Sequence, residues 1–346
     1  MAHRPQLLRH VTSPLLSPRF FFSTAAAACP SNKTQIYVSR SRDPLLNLSV
    51  EHHLLQTAPA DATVLMLYAN APCVVFGRNQ NPWIETNLAR LGGDSSQQPP
   101  IQLVRRRSGG GTVFHDEGNV NFSVICPSAA FDRNKHAEMV VRALRRLGRP
   151  TARVNERHDI VVVDDDVSRG SGGGGGTFKV SGSAYKLTRL RSLHHGTSLL
   201  QSPNLDSISG LLRSPAEGFI KARGVDSVRS PVRNLHLDVA VFEDAVVREF
   251  EEMYGRPDVR DVVEDAEALA VPQIRQGYAE MSSRGWLYGQ TPRKGAQKDL
   301  SFLVGATLYD IDDWSVRLAD AGLASQQAQH IGEWLNGILG TEFTKA

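Results

Sequence analysis

Arg105–Ser123, reading RRRSGGGTVFHDEGNVNFS, carries the densest chemistry in the chain. Three arginines, three consecutive glycines, an apolar pair and a His-Asp fall within one short run. Consecutive glycines present no Cβ, so a ligand can press on the backbone and reach its N–H groups. Arginines at the mouth of such a loop offer fixed positive charge and forked donors, a match for phosphate oxygens. The stretch lacks the Lys-Ser/Thr of a P-loop and the GxGxxG spacing of a dinucleotide site. A Gly-Gly-Gly run alone is most often a flexible turn, and clustered arginines are most often a solvated face. Here the run lies between two apolar segments and carries Val113-Phe114 on its far side, which favours a phosphate- or nucleotide-binding loop.

Lys179 is the second residue of chemical interest. It stands in Phe178–Lys186 (FKVSGSAYK), a strand of mostly small residues. On a buried face its ammonium needs a carboxylate or a ligand anion. On a solvent edge it needs neither, and the local residues do not choose between the two. His52-His53 and His194-His195 have neither HExxH nor Cys/His metal spacing, so no metal cluster is read. Cys29, Cys73 and Cys126 form no CxxC pair and no disulfide framework, consistent with a reducing compartment.

Elements must hold these residues in place. Ile101–Val104 has strand character and Val120–Cys126 alternates, so the glycine run reads as strand, loop, strand. Ile36–Val38 reads as a strand, and Leu45, Leu48, His52 and Leu55 recur at helical spacing over Leu45–Gln56. Thr63–Tyr68 and Cys73–Phe76, separated by Asn-Ala-Pro, predict a hairpin with a buried face. Trp83–Leu91 reads as a short helix. Ala137–Leu147 reads as an amphipathic helix, with Val140, Leu144 and Leu147 inward and Arg142, Arg145 and Arg146 on a solvated face. Ile160–Val163 and His194–Leu200 read as strands, and Val241–Tyr254 as a helix. Between them, Asp164–Asp166 and Gly170–Gly176 form an acidic, then glycine-rich linker of low complexity, and Val225–Leu235 is a polar loop. The tail from Arg293 reads as helical, with Ile331, Trp334, Leu335 and Ile338 as its stripe. The expected fold class is mixed α/β (α+β), with largely antiparallel sheets and flanking helices.

Composition narrows the field further. At 346 residues the chain has room for one large domain and a smaller one. A hydrophobic fraction of 41% and a net charge of +3 give no case for a nucleic-acid binder. No apolar run reaches membrane-spanning length, so no membrane partner is expected. Met1 to about Ala28 carries Arg4, Arg9 and Arg19, and no acidic residue precedes Asp43. That composition predicts a mitochondrial transit peptide, disordered over residues 1–30, with the folded part beginning near Ile36.

Taken together, these residues resemble the lipoate–protein ligase A family of the biotinyl/lipoyl ligase superfamily. Asp43-Pro44 with Asn47-Leu48 and Glu51 is similar to the family's opening helix, and VVFGRNQNPW (Val74–Trp83) to the loop after its first hairpin. RRRSGGGTVFHDEGN is similar to its most diagnostic signature. KVSGSAYK (Lys179–Lys186), HHGTSLL (His194–Leu200), SVRSPVRNL (Ser227–Leu235) and WLYGQTP (Trp286–Pro292) follow in family order.

The resemblance implies a catalytic domain over 36–256 and a short C-terminal accessory segment over 257–346. It implies a mitochondrial ligase that activates lipoate with ATP, accompanied by Mg²⁺, to lipoyl-AMP. The lipoyl group then moves to a lysine of a lipoyl carrier domain, in 2-oxoacid dehydrogenase complexes or the glycine-cleavage H protein. By motif match Lys179 is the catalytic residue, touching both lipoate and nucleotide. Arg106 would hold phosphate, and Gly111, Thr112, Val113 and Phe114 would wrap the nucleotide. His115, His195 and Asp159 are candidate supporting residues, and Val74, Val75 and Val104 candidate walls of an acyl slot. Two departures stand out: His158 replaces the Asn of the family's usual Asn-Asp pair, and the part after Pro292 matches poorly. The alternatives are a lipoyl or octanoyl transferase that takes a ready-made adenylate or thioester, and a non-catalytic nucleotide- or lipoyl-domain-binding protein. Every cysteine precedes Lys179, which disfavours a downstream thiol nucleophile.

Overall fold

Every residue of Thr63–Ala69 is buried, so the molecule is layered around this strand. The computed structural model describes residues 22–91, 100–163, 176–215, 217, 220–221, 224–291, 301–304 and 307–310. Most of the expected linker (164–175) and the tail stripe from Ile331 to Ile338 lie outside them, while the described part of the tail expected as helical, Ser301–Val304 and Thr307–Asp310, forms two antiparallel strands instead. In chain order the elements begin with α1 (Thr24–Ala28), β1 (Thr34–Ser39), α2 (Pro44–Thr57), β2 (Thr63–Ala69), β3 (Cys73–Phe76) and α3 (Pro82–Glu85). Next come β4 (Gln102–Arg105), β5 (Val113–His115), β6 (Asn119–Pro127), α4 (Lys135–Arg146), β7 (Arg153–Val154) and β8 (Ile160–Val163). β9 (Thr177–Ser181), β10 (Ser183–Leu187), β11 (Arg191–Leu199), α5 (Leu205–Leu211), β12 (Ile220–Lys221) and α6 (Val239–Tyr254) follow. The last are β13 (Val259–Val263), α7 (Asp265–Ala270), α8 (Pro272–Ser282), α9 (Arg284–Leu287), β14 (Ser301–Val304) and β15 (Thr307–Asp310).

The main sheet has the order β10-β11-β6-β2-β1-β13. β1 runs parallel to β2 and β13, and the other pairs are antiparallel. Smaller sheets β4-β3-β5, β7-β8-β9 and β12-β14-β15 complete the mixed architecture. Side chains alternate across the main sheet. Ile36, Leu65, Leu67, Phe122 and Val124 meet Val140 and Leu144 of α4 and Phe242, Val246 and Phe250 of α6. Tyr37, Val64, Met66 and Leu193 meet Leu46, Val50 and Leu54 of α2 and Ile274 of α8. Cover on both faces explains why β2 reads as a continuous apolar run and not as an alternating one. Truncating a fully buried residue such as Leu65 to Ala would cost about 2–5 kcal/mol. Asp43 starts α2 by accepting the Leu45 N–H at 2.8 Å, with Pro44 at the first helical position.

Several expectations change. β2 and β3 do not form a hairpin: β2 pairs with β1 and β6, while β3 pairs with β4 and β5. The intervening Asn70 is held by Asn47 and His115, and Pro72 has no N–H for a returning ladder. Order begins earlier than Ile36, because Phe22 and Ala27 are buried against Tyr37 and α2, so residues 22–30 are not a disordered leader. Residues 257–291, expected as an accessory segment, supply the edge strand β13 and helices that pack on α2. The helix expected over Trp83–Leu91 is broken: α3 ends at Glu85 and a 3₁₀ turn follows at Leu88–Arg90. Arg142 and Arg146 are bonded rather than merely solvated, reaching Glu249 and Glu252 of α6 at 2.7 and 2.6 Å.

Candidate active site

Strand β5 of the small sheet borders two adjoining cavities. On β5, Phe114 faces a cavity of about 430 Å³, and His115 faces one of about 190 Å³. Phe114, Asn119, Leu199, Ile208 and Arg213 line the larger, while Leu48, Tyr68, Val75, Arg106, His115 and His195 line the smaller. Thr112, Val113, Lys179, Gly182, Thr197, Ser227 and Val228 border both. The candidate catalytic, nucleotide-binding and supporting residues therefore meet here. Of the three valines proposed for an acyl slot, Val75 lines the smaller cavity; Val74 packs behind the larger, and Val104, on β4, is buried in the core with Met281 and Trp286.

Lys179 occupies the shared wall, and its Nζ lies 2.9 Å from Asp159 Oδ1. The two side chains are 22% and 8% exposed, so the lysine is neither a solvent-edge residue nor an unpaired buried one. Asn155 Oδ1 holds the turn before β8 by accepting the N–H groups of Arg157 and Asp159. His158 in that turn has φ 63°, the left-handed region that Asn enters readily, and its Nδ1 lies 2.7 Å from Asn134 Oδ1. The substitution relative to the family pattern therefore keeps the turn, and Asp159 still reaches Lys179. A Cβ on Gly182 would lie 3.4 Å from Lys179 Nζ, an ordinary contact, so the site has room for a methyl group there. The Lys179 N–H donates to the Pro231 carbonyl at 2.8 Å, stitching the 225–235 strap to β9.

The glycine loop is rigidly folded. Gly110 has φ 85°, and a Cβ there would approach Arg106 Nη2 to 2.9 Å. The three arginines are not a row of free donors at its mouth. Arg106 is buried and turns its guanidinium onto the loop: Nη2 donates to the Gly109 and Gly111 carbonyls at 2.5 and 2.7 Å, and Nη1 to the Val75 carbonyl at 3.2 Å. Burial lowers its pKa to about 10, which leaves it charged at neutral pH. Thr112 donates its N–H to Ser227 Oγ at 2.8 Å and its hydroxyl to Gln80 Oε1 at 3.0 Å.

Residues 43–251 match the lipoyl protein ligase A/B catalytic domain. The chain belongs to this family. It is 37% identical over 281 residues to a putative lipoate-protein ligase A of Schizosaccharomyces pombe, covering 75% of this chain and 72% of that one. Its fold matches a crystal structure of lipoate-protein ligase A bound with ATP, at TM-score 0.57 and 23% identity over 75% of this chain and 99% of that one. It also matches a bipartite lipoate protein ligase of Thermoplasma acidophilum, studied with its E2 lipoyl domain. That match has TM-score 0.59 and 22% identity over 77% of this chain and 100% of that one.

The ligase also contains site residues that sequence reasoning did not assign. Glu51 Oε2 lies 2.8 Å from His195 Nδ1, and His195 Nε2 lies 2.7 Å from Ser108 Oγ. This buried line ties α2, β11 and the glycine loop together. Glu51 had a signal, because it is the one carboxylate in α2, among Leu48, Val50, Leu54 and Leu55, and a buried carboxylate needs a partner. Ser108 had none. Asp116 Oδ2 accepts from Ser202 Oγ and Asn204 Nδ2 at 2.5 and 2.8 Å, anchoring the loop's far end. Cys73 and Cys126 are buried and line neither cavity, and burial pushes the Cys73 thiol well up.

Proposed function

We propose that this ligase activates lipoate with ATP to lipoyl-AMP, releasing pyrophosphate, and transfers the lipoyl group to a lysine ε-amine of a lipoyl domain. The observation that carries this reading is Lys179, held by Asp159 on the wall common to two cavities. The larger would take the nucleotide, with Phe114, Leu199 and Ile208 against the base and the 227–232 strap beside the phosphates. The smaller would take the acyl chain between Leu48, Val75 and Val113. Burying its four methylenes would stabilise binding by about 3 kcal/mol. Attack of the carboxylate on the α-phosphate joins two anions, and an ammonium fixed at that junction stabilises the charge as it develops. Arg106 would add its buried positive charge beside the junction while holding the glycine loop.

Mg²⁺ would accompany the triphosphate and share its charge. Asp159 Oδ2, buried and without a hydrogen-bond partner, fits as one oxygen ligand. The bound ATP of one solved relative and the lipoyl domain studied with another support these substrate and acceptor classes. The acceptors we propose are the lipoyl domains of 2-oxoacid dehydrogenase complexes and of the glycine-cleavage H protein. The acid-free, arginine-bearing residues 1–21 support delivery to the mitochondrial matrix. The test supplies purified protein with lipoate, Mg-ATP and an unmodified lipoyl domain. Pyrophosphate release and a lipoylated domain are expected. Modification from synthetic lipoyl-AMP, with none from lipoate and ATP, would make the protein a transferase instead.

A further inference from the structure

Two exposed leucines mark one margin of the site. Leu187 and Leu190, 62% and 64% exposed, bracket the turn between β10 and β11. β10 is an edge strand of the main sheet, and its first residues, Ser183 and Ala184, line the smaller cavity. Single exposed apolar side chains are ordinary on a protein surface. This pair is held outward on a fixed turn: Thr188 donates its N–H to the Arg191 carbonyl at 2.9 Å. Ser128 donates its N–H to the Leu190 carbonyl at 3.0 Å and its hydroxyl to the Thr188 carbonyl at 2.9 Å.

The same corner is cationic. Arg189 is exposed between the two leucines, and Lys186 immediately precedes them. Burial, with Arg107 and Arg78 nearby, pushes the Lys186 ammonium's pKa down against a smaller opposing pull from Glu51 and Glu280. Arg107 and Arg78 both lie over the Trp286 ring, at 4.6 and 4.7 Å. Glu51 is buried on His195, so Glu280, 2.6 Å from Arg107, is the exposed carboxylate among these neighbours. The corner is continuous with the glycine loop, because Gly109 donates its N–H to the Tyr185 carbonyl on the outer edge of β10 at 3.3 Å.

We infer that the β10–β11 turn, with Lys186, Arg107 and Arg78 beside it, is the docking surface for the acceptor, a protein domain with carboxylates flanking its target lysine. The inference rests on the proposed transfer of the acyl group to a protein lysine. That lysine must bring its ammonium toward Lys179 and Arg106, both positive. Carboxylates on the same partner offset the repulsion, and the cationic corner steers them into place. Leu187 and Leu190 supply the apolar contact that such a rim lacks. Leu187 lies four residues beyond Ser183, about 13 Å along the strand. An interface of about 800 Å² per partner is roughly 30 Å across, so a domain whose lysine enters the cavity reaches the turn.

The experiment uses the whole protein, a Leu187→Asp/Leu190→Asp double variant and Arg189→Glu. Pyrophosphate release from lipoate and ATP, and transfer from synthetic lipoyl-AMP to hydroxylamine, should be unchanged in both. The kcat/KM for an unmodified lipoyl domain should fall about tenfold or more in the double variant, chiefly through KM. Arg189→Glu should lower it too and flatten its dependence on salt. Neutralising the acidic residues beside the target lysine of the lipoyl domain should weaken the unmodified ligase in the same way. An unchanged kcat/KM for the domain in the variants overturns the inference. So does a salt-independent kcat/KM in the unmodified protein, whether or not any variant folds. Binding to anionic phospholipid vesicles that the double variant loses, with domain kinetics intact, would assign the turn to a membrane instead. Failure of the unmodified protein to modify the domain even from lipoyl-AMP overturns the transfer reading beneath it.

Discussion

Lys179 owes its placement to a single carboxylate, and that makes its contribution testable in two steps. Lys179→Ala removes the ammonium from the wall between the cavities and should lower pyrophosphate release by roughly 10²-fold or more. The melting temperature should change little, since the side chain is partly exposed. Near-normal turnover in this variant would sink the assignment. Asp159→Asn keeps the shape of the partner but removes its charge, leaving Lys179 less firmly held. Its kcat should fall by about tenfold or more, with Asp159→Glu recovering part of the loss. A variant with unaltered kcat would show that Lys179 needs no orienting partner. The motif was legible here and the pairing was not: nothing around Lys179 in the sequence says which carboxylate, if any, will meet it.

At the scale of elements, the glycine loop is shaped as much by what packs behind it as by its own residues. Arg105 is fully buried and donates to the carbonyls of Arg78, Gln80 and Leu287 and to Thr291 Oγ1. Its carbonyl accepts from Trp286 Nε1 at 2.8 Å, and Trp286 lies between the guanidiniums of Arg78 and Arg107. Residues 284–291 are thereby latched to the loop. Arg105→Leu would leave several buried acceptors unpaired and should cost about 3 kcal/mol or more, read as a lower urea midpoint. An unchanged midpoint would show that the latch is not structural. Gly110→Ala must adopt the left-handed region and meets Arg106 Nη2, so a loss of about 1–3 kcal/mol is expected, with reduced lipoate activation. Wild-type activity in that variant would mean the loop tolerates another shape. Tandem arginines looked alike in the sequence. Their different fates follow from α8 and α9 covering one of them and the cavity flanking another.

For the whole molecule, buried neutral histidines tie stability to pH. Burial pushes His115 down to about 3 and His136 to about 4, against an ordinary value of 6.5. Because the folded values lie below the unfolded one, the unfolded chain takes up protons first as pH falls. Their contribution is complete above about pH 6.5 and is lost progressively toward pH 4 and below. Between pH 7 and pH 5 the expected loss is on the order of 2 kcal/mol for each histidine, measured as a fall in the urea midpoint. Equal or greater stability at pH 5 would contradict it. The amino-acid sequence by itself determined the glycine loop, the mixed sheets and the family, because residue type and alternation are local properties of each element. It misjudged the hairpin and the start of order for a matching reason. Whether β2 and β3 pair, or whether Phe22 is covered, depends on surfaces contributed by distant segments. Only the tertiary structure decided that Asp159 meets Lys179, that Glu51 meets His195, and that Asn70 meets His115. Those pairings arise where strands and helices cross in space, and spacing along the chain carries no record of the crossing.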